Sequence, residues 1–488
     1  MKGDFTRDPL KLRDRRKHFT RVLMQQGRVQ LDADWNEQAA ILLHYLQTLA
    51  ADLIGPHGGP GGEHLGFVIA AADVGFTIGP GRYYVDGILC ENDAPLNYAN
   101  QDGYPFPDAA ELENNETYLV YLDVWERHVT YLEDKSIREV ALGGPDTTTR
   151  AQLVWQVKVV PVEWSEEEGV EEEIEALMRE LRDLRIELRD ARRNRQDQRA
   201  EEIAANIERV KERIDGLGGV ADCDALLLQK LEELGKLGEA ELRARAYLES
   251  PPENPCITPP QARYRGAENQ LYRVEVHAGN AEGAATFKWS RDNGSVVAAW
   301  VGQEGDDLIV SGVRDTARGF AAGQWVELMD DELELRGEPG AMVRVVKAEG
   351  DRVTIDPETA SDGVNWSGDL KNPKVRRWDH GASRTTKLSS GAVLIEESKW
   401  LDLEDGIKIQ FEQGGTYHTG DYWLIPARTA TGDVEWPLSE DGDPEPLPPH
   451  GVEHHYVPLW LISVANGEVT ADPDNDCRRS FKQLWELP

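Results

Sequence analysis

Two short clusters in the C-terminal part of the chain contain residue types that bind metal ions. The run His450–His454 (HGVEH) matches the inverted zinc-protease pattern H-x-x-E-H, with Glu453 as its acidic member. That chemistry needs a helix, because only there do residues four apart face the same side and converge on one metal. Pro448 and Pro449 precede the run and a β-rich stretch follows it, so the context predicts a loop entering a strand and no zinc site.

Other acidic residues are also explained without chemistry. Asp472, Asp474 and Asp476 could offer oxygens to calcium, but the segment lacks the glycine and the distant glutamate of an EF-hand and is typical of a turn. Asp123 and Glu126 resemble the paired carboxylates of glycosidases, yet positions three apart on a strand face opposite sides. The sequence contains no phosphate-binding loop, dinucleotide fingerprint or nucleophile elbow. We therefore predict a non-enzymatic protein with no catalytic residues, no bound metal and no cofactor.

Strand signals dominate the elements that would position these residues. Three runs are rich in the β-branched and aromatic residues that favour strands: residues 117–130, 152–162 and 456–464. Asp86-Gly87 and Asn293-Gly294 supply the positive φ angles that tight hairpin turns need, and a further hairpin is predicted over 408–425. Short alternating strands over 323–356 resemble a small barrel or sandwich module.

The N-terminal part contains one predicted amphipathic helix, from Asp34 to Leu53. Its apolar residues recur at alternating steps of four and three and form one stripe: Trp35, Ala39, Leu42, Leu46, Leu49 and Leu53. Asp34 and Glu37 would form a capping-box-like start. We expect the stripe to cover a core of its own domain, with a partner's helix as the alternative. The glycine- and proline-rich residues 55–62 predict a flexible linker.

Residues 165–255 break the β pattern. Two sets of apolar residues keep a three-four spacing but are out of register with each other: Ile174, Leu177, Leu181, Leu184, Leu188 and Ala191, then Ile203, Ile207, Val210, Ile214 and Leu217. The mismatch predicts two helices folded back as a coiled-coil hairpin, each about 30 Å long. A third helical stretch is predicted over 222–248, and we interpret the block as an insertion projecting from a β domain.

The predicted fold class is mainly β, with an N-terminal helix, an inserted α-helical coiled-coil block and several β-sandwich or β-barrel modules. A chain of 488 residues is long enough for roughly two to four domains. The predicted divisions are the N-terminal motif and amphipathic helix (1–62), the first part of a β domain (63–164), the helical insertion (165–255), the second part of the β domain (256–300), a small barrel-like module (301–370) and a C-terminal β domain (371–488).

Charge and cysteine usage limit the partners and the compartment. The chain has 53 basic and 89 acidic side chains and a formal net charge of −36, which disfavours nucleic acid and anionic membranes as partners. The four cysteines are far apart and form no C-x-x-C pair, so neither a disulfide framework nor a structural zinc site is expected. No signal-peptide pattern and no apolar run long enough to span a bilayer is present, which predicts cytoplasmic synthesis.

A motif near the start carries a family resemblance. Residues 4–8 (DFTRD) and 18–38 (HFTRVLMQQGRVQLDADWNEQ) resemble the opening of a bacterial family whose members accompany phage-tail-like contractile injection systems. The opening is also similar to N-terminal segments of phage tail fibre and baseplate proteins. Three later segments fit the same family: residues 118–130, 137–155 and 287–296. The family has no catalytic residues to transfer to this chain.

The motif also has a direct physical interpretation. Gly27-Arg28 can make a tight turn, and mostly polar residues gather at the helix start: Asp32, Asp34, Trp35, Asn36 and Glu37. Such residues either fix the chain to a partner or a neighbouring loop, or only cap the helix, and the sequence leaves both open.

The resemblance implies a structural or attachment component of a contractile tail-like particle, associated with its baseplate or fibres and released with it. It implies partners among the other particle proteins and in the chain itself, as a homo-oligomer with a trimer favoured. The alternative from residue types is a carbohydrate- or cell-surface-binding β-module that uses exposed tryptophans to hold surface glycans. Most of the 14 tryptophans are nevertheless expected to fill β cores.

Overall fold

The computed structural model describes residues 1–3, 18–101, 112–144, 146–163, 177–188 except 178 and 186, 199, 203–211 except 208, 223–236, 240–246, 264–280, 283–313, 319–364, 366–383 and 386–482. Within them the chain is mainly β with several sheets, as predicted. The α-helices with defined bounds are α1 (Asp32–Ile54), α2 (Cys223–Glu233) and α3 (Asp331–Arg336).

The strands, in chain order, are β1 (His57–Pro60), β2 (Ile69–Ala71), β3 (Phe76–Ile78), β4 (Gly81–Val85), β5 (Ile88–Asn92), β6 (Leu96–Asn97), β7 (Thr117–Val129), β8 (Arg150–Val162), β9 (Leu242–Ala246), β10 (Gln270–Ala278), β11 (Thr286–Ser290), β12 (Val297–Glu304), β13 (Asp307–Ser311), β14 (Trp325–Met329), β15 (Ala341–Glu349), β16 (Arg352–Asp356), β17 (Lys374–Trp378), β18 (Leu388–Ser389), β19 (Ala392–Leu394), β20 (Leu401–Asp402), β21 (Ile407–Phe411), β22 (Tyr422–Arg428), β23 (Asp433–Val434), β24 (His455–Ala465), β25 (Glu468–Thr470) and β26 (Ser480–Phe481).

These strands form three nested β units, each with its own apolar core. The outer unit contains the sheets β26-β1-β4-β5, β2-β3-β6 and β25-β24-β7-β8. The middle unit contains the sheets β18-β19-β11-β10-β22-β23 and β20-β21-β9, and the third unit is the closed barrel β12-β13-β16-β15-β14-β17. The chain enters the outer unit, then the middle unit and the barrel, and returns through the middle unit to the outer one.

The nesting cuts across the predicted divisions of the chain. Strand β7 pairs with β24, so the strands of 63–164 are completed by the far end of the chain and not by 256–300. Strands β10 and β11 of that second segment pair instead with β22 and β19. The closed barrel runs from Val297 to Trp378, around the segment predicted as a barrel-like module. Local sequence shows that a strand forms, but its partner depends on distant residues.

The predicted flexible linker at 55–62 is wrong. Residues His57–Pro60 form the buried strand β1, which pairs in parallel with β26 and antiparallel with β4. The glycines are required by close packing, since a Cβ at Gly59 would lie 2.6 Å from Leu65 Cδ1 and 2.9 Å from Arg82 O. Glycine here permits the backbone to approach its neighbours and does not loosen the chain.

Two of the three predicted hairpins need correction. The Asp86-Gly87 turn joins β4 to β5 with φ values of 47° and 80°, as predicted. Asn293-Gly294 also has positive φ at both residues, but it links β11 of the middle unit to β12 of the barrel. The segment 408–425 contains β21 and β22, which belong to different sheets. A turn sequence therefore predicts where the chain reverses direction, but it does not predict that the two flanking strands pair with each other.

The described parts of the helical block contribute residues from both apolar sets to one small core: Leu177, Leu181, Ile203, Ile207 and Val210, with Leu184 and Leu188 packed against it. The remainder of the predicted hairpin lies outside the described residues. The predicted third helix over 222–248 is only partly right, because α2 ends at Glu233 and Leu242–Ala246 is strand β9, paired with β21. A strand forms at Leu242–Ala246 in place of the predicted helix because alternate residues, Leu242 among them, pack into the core of the middle unit.

A disulfide joins Cys223 to Cys477, although the spacing of the four cysteines predicted no disulfide framework. The two Cα atoms lie 5.9 Å apart, although the residues are 254 positions apart in sequence. The bond joins the start of α2 to the segment that leads into β26, while Leu226, Leu227 and Leu231 of α2 pack on the outer unit. Cysteine spacing could not reveal it, because the two thiols meet only after the outer unit closes. Cys90 is a buried free thiol.

Candidate functional site

The N-terminal motif leads into the start of α1. Gly27 has a φ of 74° and Arg28 N donates to Gln25 O at 3.3 Å, so the predicted tight turn forms. Val22 N donates to Gln38 Oε1 at 2.8 Å, which ties this segment to the helix. Several apolar residues before the helix are exposed: Phe19, Leu23, Met24, Val29 and Leu31.

The predicted capping box at the helix start is wrong. Helix α1 begins at Asp32, its N-cap is Leu31, and no side chain caps it. Asp34, with Asp32, instead lies in the first turn, where a carboxylate interacts favourably with the helix dipole. Asn36 is exposed, while Glu37 is half-buried. Side-chain capping of the N-terminus therefore does not account for the polar residues of the motif.

The apolar stripe of α1 faces outward. We call its residues the α1 seam: Trp35, Ala39, Leu42, Leu46, Leu49 and Leu53. Trp35, Leu46 and Leu53 are 74%, 65% and 67% exposed, and Leu42 and Leu49 are more than half exposed. The expectation that this stripe covers a core of its own domain is wrong.

A different side of the helix holds it to the outer unit. Ala33 and Ile41 are the buried residues of α1. The backbone of Gln47 lies against the Asp86-Gly87 turn, so closely that a Cβ on Gly87 would come 2.0 Å from Gln47 O. The helix is thus fixed by its narrow inner side while its wider apolar side stays in contact with solvent.

The middle of the α1 seam, from Ala39 to Leu49, lies within an uncharged part of an acidic chain. Residues 38–51 (QAAILLHYLQTLAA) contain no Asp, Glu, Lys or Arg, although the whole chain has a formal charge of −36. Leu43 and Tyr45, which flank the seam, are also exposed. Large exposed apolar patches on otherwise polar proteins mark interaction sites.

The H-x-x-E-H residues lie in a loop and contact different neighbours. Residues 450–454 form a loop before β24, as predicted, and not a helix. His454 Nδ1 lies 2.6 Å from Asp123 Oδ1, and its ring lies 4.8 Å from the Trp125 ring. His450 lies beside Tyr422, and Glu453 is exposed. The histidines therefore contact different parts of the middle and outer units.

The remaining carboxylate candidates have structural partners. Asp472 Oδ1 accepts from Asp474 N at 3.0 Å and so caps a 3₁₀ turn. Asp476 pairs with Arg478 at 2.7 Å. Asp123 is buried and Glu126 is exposed, which agrees with the prediction that they face opposite sides of β7. These positions are turn and strand residues with local contacts.

A group of buried charges lies where the middle unit meets the barrel, and sequence reasoning missed it. We call it the junction layer: Arg273, Glu275 and His277 of β10, Lys288 of β11, Glu327 of β14, and Lys374 and Arg376 of β17. The alternating Val274 and Val276 enter the core of the middle unit. The signal was visible, because β10 alternates apolar residues with charges of both signs, but such a pattern usually indicates a solvent-facing side.

The junction layer is held by close ion pairs. Lys288 Nζ lies 2.5 Å from Glu327 and 3.3 Å from Glu275, and Trp378 Nε1 donates to Glu327 at 2.9 Å. Burial opposes the ionisation of Glu327, but Lys288 and His277 outweigh it and hold the pKa of that carboxyl well below its usual range. These ion pairs join β10 and β11 of the middle unit to β14 of the barrel.

Lys374 occupies the centre of the acidic group Glu133, Asp331 and Glu334. Its Nζ lies 2.7 Å from Glu133, 2.6 Å from Glu334 and 3.7 Å from Asp331. Among the described residues, these three carboxylates are the only set close enough to share a metal ion. Burial would lower the pKa of Lys374, but Glu334 and Glu133 outweigh it and raise that pKa. A protein cation therefore already lies among the three carboxylates.

Most tryptophans are buried or half-buried, as expected. Among the described residues, the exposed ones are Trp35 in the α1 seam and Trp366 in a barrel loop. A sugar platform of several neighbouring tryptophans is not formed by these residues. Within the same part of the chain, no helix is both long and apolar enough to cross a membrane.

Comparison with known proteins identifies the family of the chain but no characterised relative. No curated protein matches the chain. A solved structure titled "Crystal structure of TssK" aligns over 80% of this chain and 98% of that one, at 10% identity and a TM-score of 0.16, which is too low to carry an inference. Residues 1–471 match the model of a family of unknown function, DUF6519, and since this is nearly the whole length, the chain belongs to that family.

Proposed function

We propose that the protein is a non-enzymatic structural or attachment component of a contractile, phage-tail-like particle, and that it assembles through α1. The observation that carries this proposal is the exposed, uncharged α1 seam, whose apolar residues find no core in the described part of the chain. The N-terminal motif, which contains the seam's first residue, supplies the resemblance to particle-associated proteins.

The occupant we propose for the α1 seam is the same helix of a second copy. Alternating steps of four and three over residues 35–53 give a seven-residue repeat, which keeps one stripe facing a partner helix in a coiled coil. A helix that covers a globular core needs no such strict repeat. Leu43 and Tyr45 widen the stripe beyond the two positions of a two-stranded seam, which favours three helices over two.

The uncharged stretch of α1 lessens the repulsion that a second copy meets at this position. Two copies with a net charge of −36 repel each other wherever their acidic surfaces approach within a Debye length, about 8–10 Å in ordinary buffers. Residues 38–51 bring no formal charge into the contact. Self-association through α1 should therefore strengthen as salt is raised, since screening removes the repulsion and leaves the apolar contact.

The energy of the contact depends on nearly the whole seam. Burying one large apolar side chain stabilises by roughly 1.5–3 kcal/mol, so five large seam residues give roughly 8–15 kcal/mol per helix. The cost of association is of similar size, roughly 4–15 kcal/mol. Two charges placed in the seam are consequently enough to prevent assembly.

Sedimentation velocity at tens of micromolar tests the self-association. We expect the wild-type chain to sediment as an oligomer and the double variant Leu42→Glu/Leu46→Glu to sediment as a monomer. The matched control is Leu142→Glu/Leu438→Glu, which places the same charges on exposed leucines elsewhere and should assemble normally. A monomeric wild-type chain, or a seam variant that assembles like the control, would refute the seam as an assembly surface.

A second measurement tests whether the chain is part of a contractile particle. Native lysate is sedimented, and the pellet is inspected for sheathed tubular particles by electron microscopy and probed for this chain. We expect the chain to pellet with the particles. If it stays in the supernatant while particles pellet, the particle assignment fails even where self-association stands.

A further inference from the structure

A cleft beside the junction layer holds residues 1–3 of the chain. It lies at the Asn293-Gly294 turn that links β11 to β12, between β10 of the middle unit and β17 of the barrel. Six residues line it: Arg273, Glu275, Asn293, Gly294, Trp378 and Tyr422.

The cleft binds the main chain of these residues through donors and acceptors. Gly3 N donates to Asn293 O at 3.1 Å, and Asn293 Nδ2 donates to Gly3 O at 2.9 Å. Arg273 Nη1 donates to Met1 O at 3.0 Å. Three main-chain hydrogen bonds within three residues are the pattern by which a protein recognises a peptide segment.

The cleft also selects a lysine side chain. Lys2 Nζ lies 2.8 Å from Glu275 Oε1 and 5.9 Å from the centre of the Trp378 ring. The stem of Lys2 runs across Gly294, where a Cβ would sit 3.7 Å from Lys2 Cβ and Cγ. The Glu275 carboxylate and the Trp378 ring attract a cation, and Gly294 leaves room for the methylene groups of a long side chain. The same carboxylate repels an acidic side chain.

Glu275 in the wall of the cleft has cationic partners besides Lys2. Glu275 already pairs with Arg273 at 2.5 Å and with Lys288 at 3.3 Å. Arg273 in turn lies 3.5 Å from the centre of the Tyr422 ring. The Lys2 side chain keeps 20% exposure while Glu275 keeps 1%, so the lysine enters from the surface and reaches a buried carboxylate that also pairs with Arg273 and Lys288.

We infer that this cleft is a peptide-binding site for a lysine-containing segment, that residues 1–3 fill it in cis, and that it accepts the same segment in trans from a second copy of the chain. Exchange of the segment between copies would join their middle units and barrels at a point separate from α1. The inference stands on the cleft alone, because it concerns no residue of the α1 seam.

The test uses the full-length chain with Lys2→Glu, whose own segment is repelled by Glu275 and leaves the cleft. The probe is a fluorescent peptide of residues 1–8 (MKGDFTRD), capped at its N-terminus, and the readout is its fluorescence anisotropy. We expect it to bind the Lys2→Glu chain at least tenfold more tightly than the wild-type chain, whose cleft is filled.

The control peptide exchanges Lys2 and Asp4, so it keeps its composition and net charge. It should bind the Lys2→Glu chain at least tenfold more weakly than the authentic peptide. Equal binding of the two peptides, or no binding of the authentic one, would overturn the inference. The chain with Lys2→Ala repeats the measurement without a reversed charge, and a failure in both chains leaves the sedimentation test of α1 unaffected.

Discussion

The α1 seam and the junction layer both depart from the usual placement of side chains, the first with exposed apolar residues and the second with buried charged ones. The seam exposes tryptophan and leucine to solvent, whereas the junction layer encloses arginine, lysine and glutamate between two β units. Exposed apolar residues become stable when a partner covers them. Buried charges become tolerable when each has an opposite charge within reach, and they then restrict the arrangement more than they strengthen it.

The difference separates two tasks within one chain. The junction layer completes its contacts internally, since Lys288 and Lys374 each contact more than one carboxylate. The α1 seam is exposed in a single copy, and in the proposed assembly another molecule covers it. A change in the junction layer should therefore affect the folding of a single copy, and a change in the seam should affect only the association of copies.

The largest effect is expected from Lys374→Met. This change removes the lysine that Glu133, Asp331 and Glu334 share and leaves the three carboxylates close together. Removing one partner of a buried pair costs about 3–5 kcal/mol, because the remaining charge is buried and unpaired. We expect the free energy of unfolding, measured in urea, to fall by this amount.

The matched control for Lys374 is Lys347→Met. Lys347 pairs with Glu349 at 2.8 Å, but both side chains are more than half exposed. Exposed pairs contribute less than about 1 kcal/mol. If both variants lost equally little stability, the junction layer would not carry the structural role assigned to it.

An intermediate effect is expected from pH through His380. The side chain is buried, Nε2 lies 2.7 Å from Gly391 O, and Nδ1 has no hydrogen-bond partner among the described residues. Burial is the main cause that lowers the pKa of His380 from 6.5 to about 4. The charges of His277 and Lys288 lower this pKa further, whereas the hydrogen bond with Gly391 and the charge of Glu327 raise it. In the unfolded chain His380 is therefore protonated below pH 6.5, whereas in the folded chain it stays neutral down to about pH 4.

Stability is consequently lost as pH falls through this window. A pKa that is lower by this amount in the folded state costs on the order of 3 kcal/mol once the window is crossed. We expect His380→Gln to flatten the fall in unfolding free energy between pH 6.5 and pH 4, and His64→Gln, at an exposed histidine, to leave it unchanged. An unchanged slope in His380→Gln would show that this histidine is not held neutral by the fold.

Sequence patterns predicted the elements whose causes are local. The helix from residue 34 to 53, the long strands β7 and β8 and the Asp86-Gly87 turn all follow from periodicity, β-branched content and backbone freedom in short windows. The seam residues were also identified by spacing, but spacing could not tell whether a core or a partner covers them, since both need the same stripe.

The features that were missed depend on contacts between distant residues. Arg273 and Glu275 look like solvent-facing positions until the barrel covers them, and Gly58 and Gly59 look like a linker until β26 arrives from the end of the chain. Cys223 and Cys477 are likewise joined only after the outer unit closes. In each case the deciding neighbour comes from another element of the chain, beyond the short windows in which helix and strand patterns are recognised.

The smallest effect on folding is expected from Leu42→Glu/Leu46→Glu, and this prediction completes the comparison. Both side chains are more than half exposed, so the substitutions remove little burial within one copy. Surface substitutions of this kind change the free energy of unfolding by about 0.5 kcal/mol or less. Urea unfolding below the concentration at which the wild-type chain associates should therefore give nearly equal stabilities for variant and wild type. A loss of about 2 kcal/mol or more would mean that the seam packs within its own copy, and the separation between a seam for assembly and a layer for folding would not hold.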